Sequence, residues 1–327
     1  MAHRRMTITA ISSPLKAPFA ISRGTKTHAE TVRVVLEEAG KAGRGESVPY
    51  GRYGETPQSV IEEIEAARAE VEGGISREAL QARMKPGAAR CAVDCALWDL
   101  EAKLSGQPVW QLAGLPEPKP VETAVTISLG VPEEMAEAAR AAPGRLLKLK
   151  LGSEGGLARI EAVHGARPDA RLIADANEGL SAAELAAISR KAAGLGLVLI
   201  EQPFAAGKDE ALLKRPGAIA VCADESAHTA GDIQMIARMY DAVNVKLDKA
   251  GGLTEALAMA RAAKAAGLGV MAGCMVAGSL SMAPAVLLAQ LADAADLDGP
   301  LWLAEDVEGG LAYTEGFVSP PGARLWG

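Results

Sequence analysis

Apolar and charged residues alternate through Arg145-Leu-Leu-Lys-Leu-Lys-Leu-Gly152. A period of two marks a strand, so Lys148 and Lys150 project from one face and Leu147, Leu149 and Leu151 from the other. Two ammonium groups on one face repel each other. Taken alone, such a run is most simply an edge strand with solvated lysines. Four later runs change that reading: Ile173-Ala-Asp175-Ala-Asn177, Leu199-Ile-Glu201-Gln-Pro203, Cys222-Ala-Asp224-Glu-Ser226 and Asn244-Val-Lys246-Leu. Each is a short apolar stretch closed by a charge. They recur at intervals of roughly 22 to 26 residues, the length of one strand-plus-helix unit.

The remaining pattern divides the chain. Thr7-Ile-Thr-Ala-Ile and Thr31-Val-Arg-Val-Val-Leu predict a hairpin, with Pro14 to Thr27 as a long loop carrying Arg23, Lys26 and His28. Gly51-Arg-Tyr-Gly predicts a second loop within Glu46 to Glu55. Helical spacing follows over Gln58 to Glu72, Ser76 to Arg83 and Ala88 to Leu104, the last stopped by Gly106 and Pro108. Residues 1–115 therefore form an α+β module. From Val121 onward strand-like runs alternate with Ala-rich helices, giving seven or eight units up to residue 300. Closure into a (β/α) barrel pairs every strand edge. An open doubly wound sheet would want a Gly-rich phosphate turn after its first strand, and none stands there. Gly251-Gly252, after the sixth strand, is too little to signal phosphate. Residues 301–327 are polar, punctuated by Gly and Pro, and expected to return to the N-terminal module.

Composition narrows the class. The 327 residues are 49% hydrophobic and 23% charged, but only 3% aromatic, so the core is built from small and aliphatic side chains. A formal charge of −7 argues against nucleic acid as a partner. Cys91, Cys95, Cys222 and Cys274 lack metal-site spacing and read as reduced core residues. The histidines form no ligand motif. No apolar run reaches membrane-spanning length and no signal-peptide core follows the N-terminus, which predicts a cytoplasmic protein without a membrane partner.

In such a barrel, reactive groups stand at the C-terminal ends of strands. Asp175, Glu201 and Asp224 each close a strand, on three consecutive strands. A single one would ordinarily be a helix N-cap. Three hard oxygen donors converging on one mouth instead suggest a divalent cation, Mg2+ foremost. Glu225 is read as a supporting neighbour, with Asp224 the ligand. Lys148 and Lys150 end the second strand and Lys246 the sixth, so the amines face each other across the mouth. The cation and Lys148 should depress the pKa of Lys150 enough to make it a general base near neutral pH. A metal and an ammonium together stabilise an ene-diolate formed next to a carboxylate. Acid and base on opposite faces fit racemisation or epimerisation; one base alone would suit elimination or cycloisomerisation. Lys249 is the fallback for Lys246.

These strands, with the run from Asn244 to Gly252, resemble the muconate-lactonising branch of the enolase superfamily over nearly the whole chain. Gly87-Ala-Ala-Arg-Cys-Ala-Val-Asp-Cys-Ala-Leu-Trp-Asp-Leu100 is similar to the last capping-domain helix of that branch. The resemblance implies a modified (β/α)8 TIM-type barrel beneath an N-terminal α+β capping domain. Within the branch the chain looks most like dipeptide epimerases, through Asp296-Leu-Asp298-Gly-Pro. Period-two spacing puts both carboxylates on one face; alone, this would be a charged turn. In dipeptide epimerases such a pair binds the ammonium of the substrate's N-terminal residue. The resemblance also makes the N-terminal loops the readers of the substrate side chain, with Arg23 as partner for its carboxylate and Lys26 a weaker candidate. One departure is Ala277, where relatives often carry Glu. The implied reaction is Mg2+-dependent epimerisation of the C-terminal residue of a dipeptide, Ala-Glu foremost. The partner is this small molecule, and a homo-oligomer is permitted. The rivals are racemisation of N-acylated amino acids, o-succinylbenzoate synthesis, and a non-catalytic barrel that binds metal or peptide.

Overall fold

A computed structural model describes residues 4–21, 24–192, 194–214 and 219–327. Arg23 lies outside the described residues. The chain opens with β1 (Arg5–Ile21), β2 (Gly24–Glu38) and β3 (Lys41–Ser47), an antiparallel sheet in that order. The expected long loop is instead ladder. β1 and β2 pair through Pro14 and His28, shift register, and resume at Phe19 and Lys26. Pro14 and Pro18 obscure the alternation in the sequence, yet on an edge strand a missing amide is tolerated. β3 was not legible because Gly43 and Gly45 interrupt it. Those glycines are required: a Cβ on Gly45 would stand 2.1 Å from the Ala92 carbonyl oxygen.

Five helices follow: α1 (Pro57–Glu65), α2 (Arg68–Glu72), α3 (Arg77–Arg83), α4 (Ala88–Ser105) and α5 (Val109–Leu112). Thr56 opens α1 with a capping box. The single helix expected over 58–72 is broken between α1 and α2. α4 is buried on nearly every face and ends at Gly106, φ 72°. It is packed on one side by β2 and β3 and on the other by the barrel.

After β4 (Val121–Glu122) come the barrel strands: β5 (Val125–Ile127), β6 (Leu146–Lys150), β7 (Arg171–Asp175), β8 (Leu197–Glu201), β9 (Ala220–Ala223), β10 (Ala242–Lys246), β11 (Gly269–Gly273) and β12 (Ala294–Asp296). They form one parallel eight-stranded sheet in sequential order. The Ala124 N–H donates to the Ala295 carbonyl at 2.8 Å across the seam between first and last strands, so the barrel is nearly closed. The helices between strands are α6 (Pro132–Ala141), α7 (Gly156–Ala166), α8 (Ala182–Lys191), α9 (Ile233–Ile236), α10 (Leu247–Ala250), α11 (Leu253–Ala265) and α12 (Ser279–Leu288). The crossover after β8 contains a 3-10 turn, Asp209–Lys214.

Alternation along the strands sorts the core. Leu147, Leu149 and Leu151 face outward, where they join the main apolar cluster with the helices. Ala124, Leu146, Ile173, Leu199, Cys222, Ala242 and Met271, one from each of β5 to β11 or its margin, form an apolar layer inside the barrel, with the partly buried Ala294 of β12 packed against it. Full burial of each large member stabilises by about 1.5 to 3 kcal/mol, which helps offset the charged layer above it. The C-terminal stretch adds the hairpin β13 (Tyr313–Thr314) and β14 (Phe317–Val318), of which β14 pairs with β4. Its end runs back to the N-terminal module: Trp326 Nε1 donates to the Cys95 carbonyl at 3.1 Å, and Arg44 Nη2 to the Leu325 carbonyl at 2.6 Å. Among the described residues no helix is long and apolar enough to cross a membrane.

Candidate active site

The next inward positions above the apolar layer are mostly charged. β6 supplies Lys148 and Lys150, β7 Asp175, β8 Glu201, β10 Asn244 and Lys246, and β12 Asp296. Lys150 pairs in register with Asp175, Asp175 with Glu201, and Gly273 with both Lys246 and Asp296, so these side chains leave the barrel near one level. Asp224 lies one residue past β9. β6 and β10 are four strands apart in the ring of eight, so Lys150 and Lys246 enter the mouth from opposite sides.

Lys148 is 1% exposed. Its Nζ lies 2.6 Å from Asp296 Oδ2, 2.7 Å from Glu201 Oε2 and 3.2 Å from Asp175 Oδ2. Lys150 Nζ donates to Asp175 Oδ2 at 2.6 Å. Lys246 Nζ donates to Asp224 Oδ2 and Lys249 Nζ to Asp224 Oδ1, each at 2.6 Å, and Lys249 also reaches the Asp224 carbonyl. Burial opposes the charge of Lys148, but Asp296, Glu201 and Asp175 outweigh it and hold the ammonium well above the ordinary lysine range. Lys246 is raised in the same way, chiefly by Asp224 and Glu201 working against burial. For Asp224 the lysines outweigh burial and keep the carboxyl well below its usual range. Asp175 is likewise lowered, by Lys150 and Lys148 against burial. Glu201 goes the other way, raised by burial and by Asp175.

Asn244 donates from Nδ2 to Glu201 Oε1 at 2.7 Å. That reach is open because residue 273 is glycine: a Cβ there would stand 2.2 Å from Asn244 Oδ1. Gln202, wholly buried and with φ 32°, accepts the Asp224 N–H at 2.8 Å and so fixes the loop after β9. Asn177, φ 45°, donates its N–H to Asp175 Oδ1 at 2.9 Å. Such strained non-glycine backbone beside the carboxylate strands is sustained by these bonds. None of these three was given a role from sequence: the Asn244 and Gln202 bonds depend on which strands become neighbours, and the local Asn177 bond depends on a left-handed turn of the backbone.

Among the described residues, no three His, Cys, Asp or Glu side chains already converge closely enough to hold an ion. Lysine ammoniums stand among the carboxylates instead. The donor set nevertheless fits a hard divalent cation in kind. Asp175, Glu201 and Asp224 offer only carboxylate oxygens, are at most 2% exposed, and Lys148 bridges two of them with positive charge. Glu201 Oε2 takes that charge at 2.7 Å but receives no directed hydrogen bond.

Above this layer is a cavity of about 390 Å³. Lys148, Lys150, Asp224, Lys246, Asp296 and Asp298 line it, as does Glu225, whereas Asp175 and Glu201 lie beneath it. The N-terminal module contributes Phe19, Lys26, Tyr50 and Tyr53. Ile21 and Gly24, on either side of the undescribed pair 22–23, also border it. Asp298 accepts the Thr126 N–H at 2.7 Å and Trp302 Nε1 at 3.3 Å, and burial and Asp296 raise its pKa. Three contacts hold the loop around residues 48–54 to barrel loops. Arg52 makes a two-pronged ion pair with Glu178 at 2.9 Å, Tyr53 packs edge-on to His228, and the Val48 N–H donates to Asp248 Oδ1 at 2.7 Å. Ala277 is fully buried in the main apolar cluster, where a carboxylate would have to be desolvated. Two amines on opposite sides of one cavity can remove a proton from one face of a carbon and return it to the other.

Comparison with known proteins agrees with this architecture. Residues 3–114 match the family model for the mandelate racemase / muconate lactonizing enzyme N-terminal domain, and residues 130–324 match the enolase C-terminal domain-like model. The chain is 45% identical to the L-Ala-D/L-Glu epimerase of Escherichia coli (strain K12), over 93% of this chain and 95% of that protein. It is 40% identical to an N-acetyl-D-glutamate racemase of a Pseudoalteromonas species, over 90% of this chain and 94% of the other. An enolase family member from Agrobacterium tumefaciens, solved with sodium and L-Ala-L-Glu, superposes with a TM-score of 0.96 at 48% identity, covering 99% and 100% of the two chains. A dipeptide epimerase from Enterococcus faecalis V583, complexed with Mg and L-Leu-L-Tyr, gives 0.92 at 28% identity, covering 100% and 99%.

Proposed function

The chain belongs to the mandelate racemase / muconate lactonizing enzyme family, and from that membership we propose that it is a Mg2+-dependent isomerase interconverting L-Ala-L-Glu and L-Ala-D-Glu. The observation that carries this reading is the placement of Lys150 and Lys246 on opposite sides of one cavity, with Asp296 and Asp298 at its edge. Lys150 Nζ takes the α-proton of the glutamate residue from one face, and Lys246 Nζ delivers a proton to the other; the reverse reaction exchanges their roles. Lys148, held as an ammonium, offers positive charge to the substrate's α-carboxylate. Asp175, Glu201 and Asp224 would hold the cation. Once bound, it would supply positive charge that acidifies the Cα–H and competes with the lysines for Asp175 and Asp224. Asp296 and Asp298 receive the substrate ammonium, and Arg23 takes the side-chain carboxylate.

A second reading has one specific support: the 40% identity to an N-acetyl-D-glutamate racemase. N-acetylglutamate shares the glutamyl part but carries no ammonium, so it leaves Asp296 and Asp298 without a cationic partner. The two are separated by incubating L-Ala-L-Glu and N-acetyl-L-glutamate with the Mg2+-loaded enzyme in D2O and following the α-proton. Interconversion of the dipeptide with little turnover of the acetylated acid is expected. The opposite preference would overturn the dipeptide assignment and leave family membership standing.

A further inference from the structure

Gly251 and Gly252 lie against α4 of the N-terminal module. Both have positive φ, 81° and 111°. A Cβ on Gly251 would stand 2.5 Å from Arg90 Nε, and one on Gly252 2.4 Å from Asp94 Oδ2. Arg90 is 3% exposed. It donates from Nη2 to the Ala250 carbonyl at 2.6 Å and from Nε to the Gly251 carbonyl at 3.1 Å. Asp94 is wholly buried and accepts the Thr254 N–H at 3.0 Å and its hydroxyl at 2.6 Å. Trp98 Nε1 donates to the same hydroxyl at 2.9 Å. Val48 adds its N–H to Asp248 Oδ1. The segment that follows Lys246 is thus gripped at 248, 250, 251 and 254 by the N-terminal module. Lys246 and Lys249 reach the other way, to Asp224.

Building on the two-lysine reading, we infer that Arg90 and Asp94 are positioning residues for Lys246: through the glycine pair, α4 sets where this amine stands in the mouth. The grip needs the two glycines because side chains there would push Arg90 and Asp94 away. Both lysines end a paired barrel strand, Lys150 on β6 and Lys246 on β10, but the α4 contacts fall on the segment that follows Lys246. Loosening the α4 grip therefore acts on one of two bases. A merely stabilising contact would instead weaken both together. A misplacement of the order of 1 Å can cost about a hundred-fold in rate.

The test is deuterium wash-in at the glutamyl α-carbon, measured separately from L-Ala-L-Glu and L-Ala-D-Glu in D2O with the Mg2+-loaded enzyme. Lys150→Ala and Lys246→Ala identify which isomer each lysine serves. In Asp94→Asn, wash-in from the isomer served by Lys246 should fall about ten-fold or more, while the other isomer stays within about two-fold. Arg90→Met should act likewise, with partial recovery in Arg90→Lys. Asp94→Asn keeps the side-chain volume and carries the test if Arg90→Met does not fold. An equal fall for both isomers, or no change in either, in a variant with native circular dichroism would overturn the inference and leave the two-lysine reading intact. One-sided wash-in by the wild type would overturn that reading, and this inference with it.

Discussion

Among the described residues, the buried Asp298 carboxyl accepts from the neutral donors Thr126 N–H and Trp302 Nε1, with Asp296 beside it. On the proposed function, the ligand ammonium is its countercharge. Removing one partner of such a desolvated contact typically costs about 2 to 5 kcal/mol. Asp298→Asn should therefore lower kcat/KM for every dipeptide by roughly thirty-fold or more, while residual turnover of N-acetylglutamate barely changes. A uniform loss on both substrates would show that Asp298 does not read the ammonium. Arg23→Ala should harm Ala-Glu far more than a dipeptide with a neutral second residue; equal losses would remove Arg23 as the reader of side chain. The charged strand-end residues were legible because period-two alternation fixes their face and the spacing between units fixes their end of the barrel. Asn244 reaching Glu201 past Gly273 was not legible, nor was Lys249 on Asp224, because each contact depends on a neighbour brought close only by barrel closure.

Among elements, the α10 segment joins the barrel to the N-terminal module through Asp248 and Val48. Burial pushes the Asp248 carboxyl up to about 7. In an unfolded chain it titrates near about 4, so the folded state binds this proton more tightly. Its contribution to stability is complete below about pH 4 and is lost as pH rises through about 7. Asp248→Asn cannot ionise and should gain stability relative to wild type between about pH 5 and pH 8, by the order of 1 kcal/mol or more. Thermal unfolding of both proteins across that range checks it; a pH-independent difference would contradict the shift. α4 and the barrel strands were readable from caps and alternation. The paired base of the β1–β2 hairpin was readable too, but its continuation past Pro14 and the strand β3 were not, since Pro14, Pro18, Gly43 and Gly45 break the pattern for reasons of edge position and close helix approach.

The molecule as a whole gathers Asp175, Glu201, Asp224, Asp296 and Asp298 against Lys148, Lys150, Lys246 and Lys249 in one buried layer, beneath a cavity that the N-terminal module borders. Such a layer calls for added positive charge. Exhaustive chelation should abolish epimerisation, and Mg2+ should restore it and raise Tm; full activity at negligible metal content would exclude the cation. The most direct trial of the two-lysine mechanism is isotope exchange in D2O. L-Ala-L-Glu and L-Ala-D-Glu are incubated separately with Lys150→Ala and Lys246→Ala, and loss of the glutamyl α-proton signal is followed by NMR. Neither variant should interconvert the isomers, and each should still exchange one of them, the two variants acting on opposite isomers. Interconversion at near wild-type rate by either variant, or exchange of the same isomer by both, would contradict the mechanism.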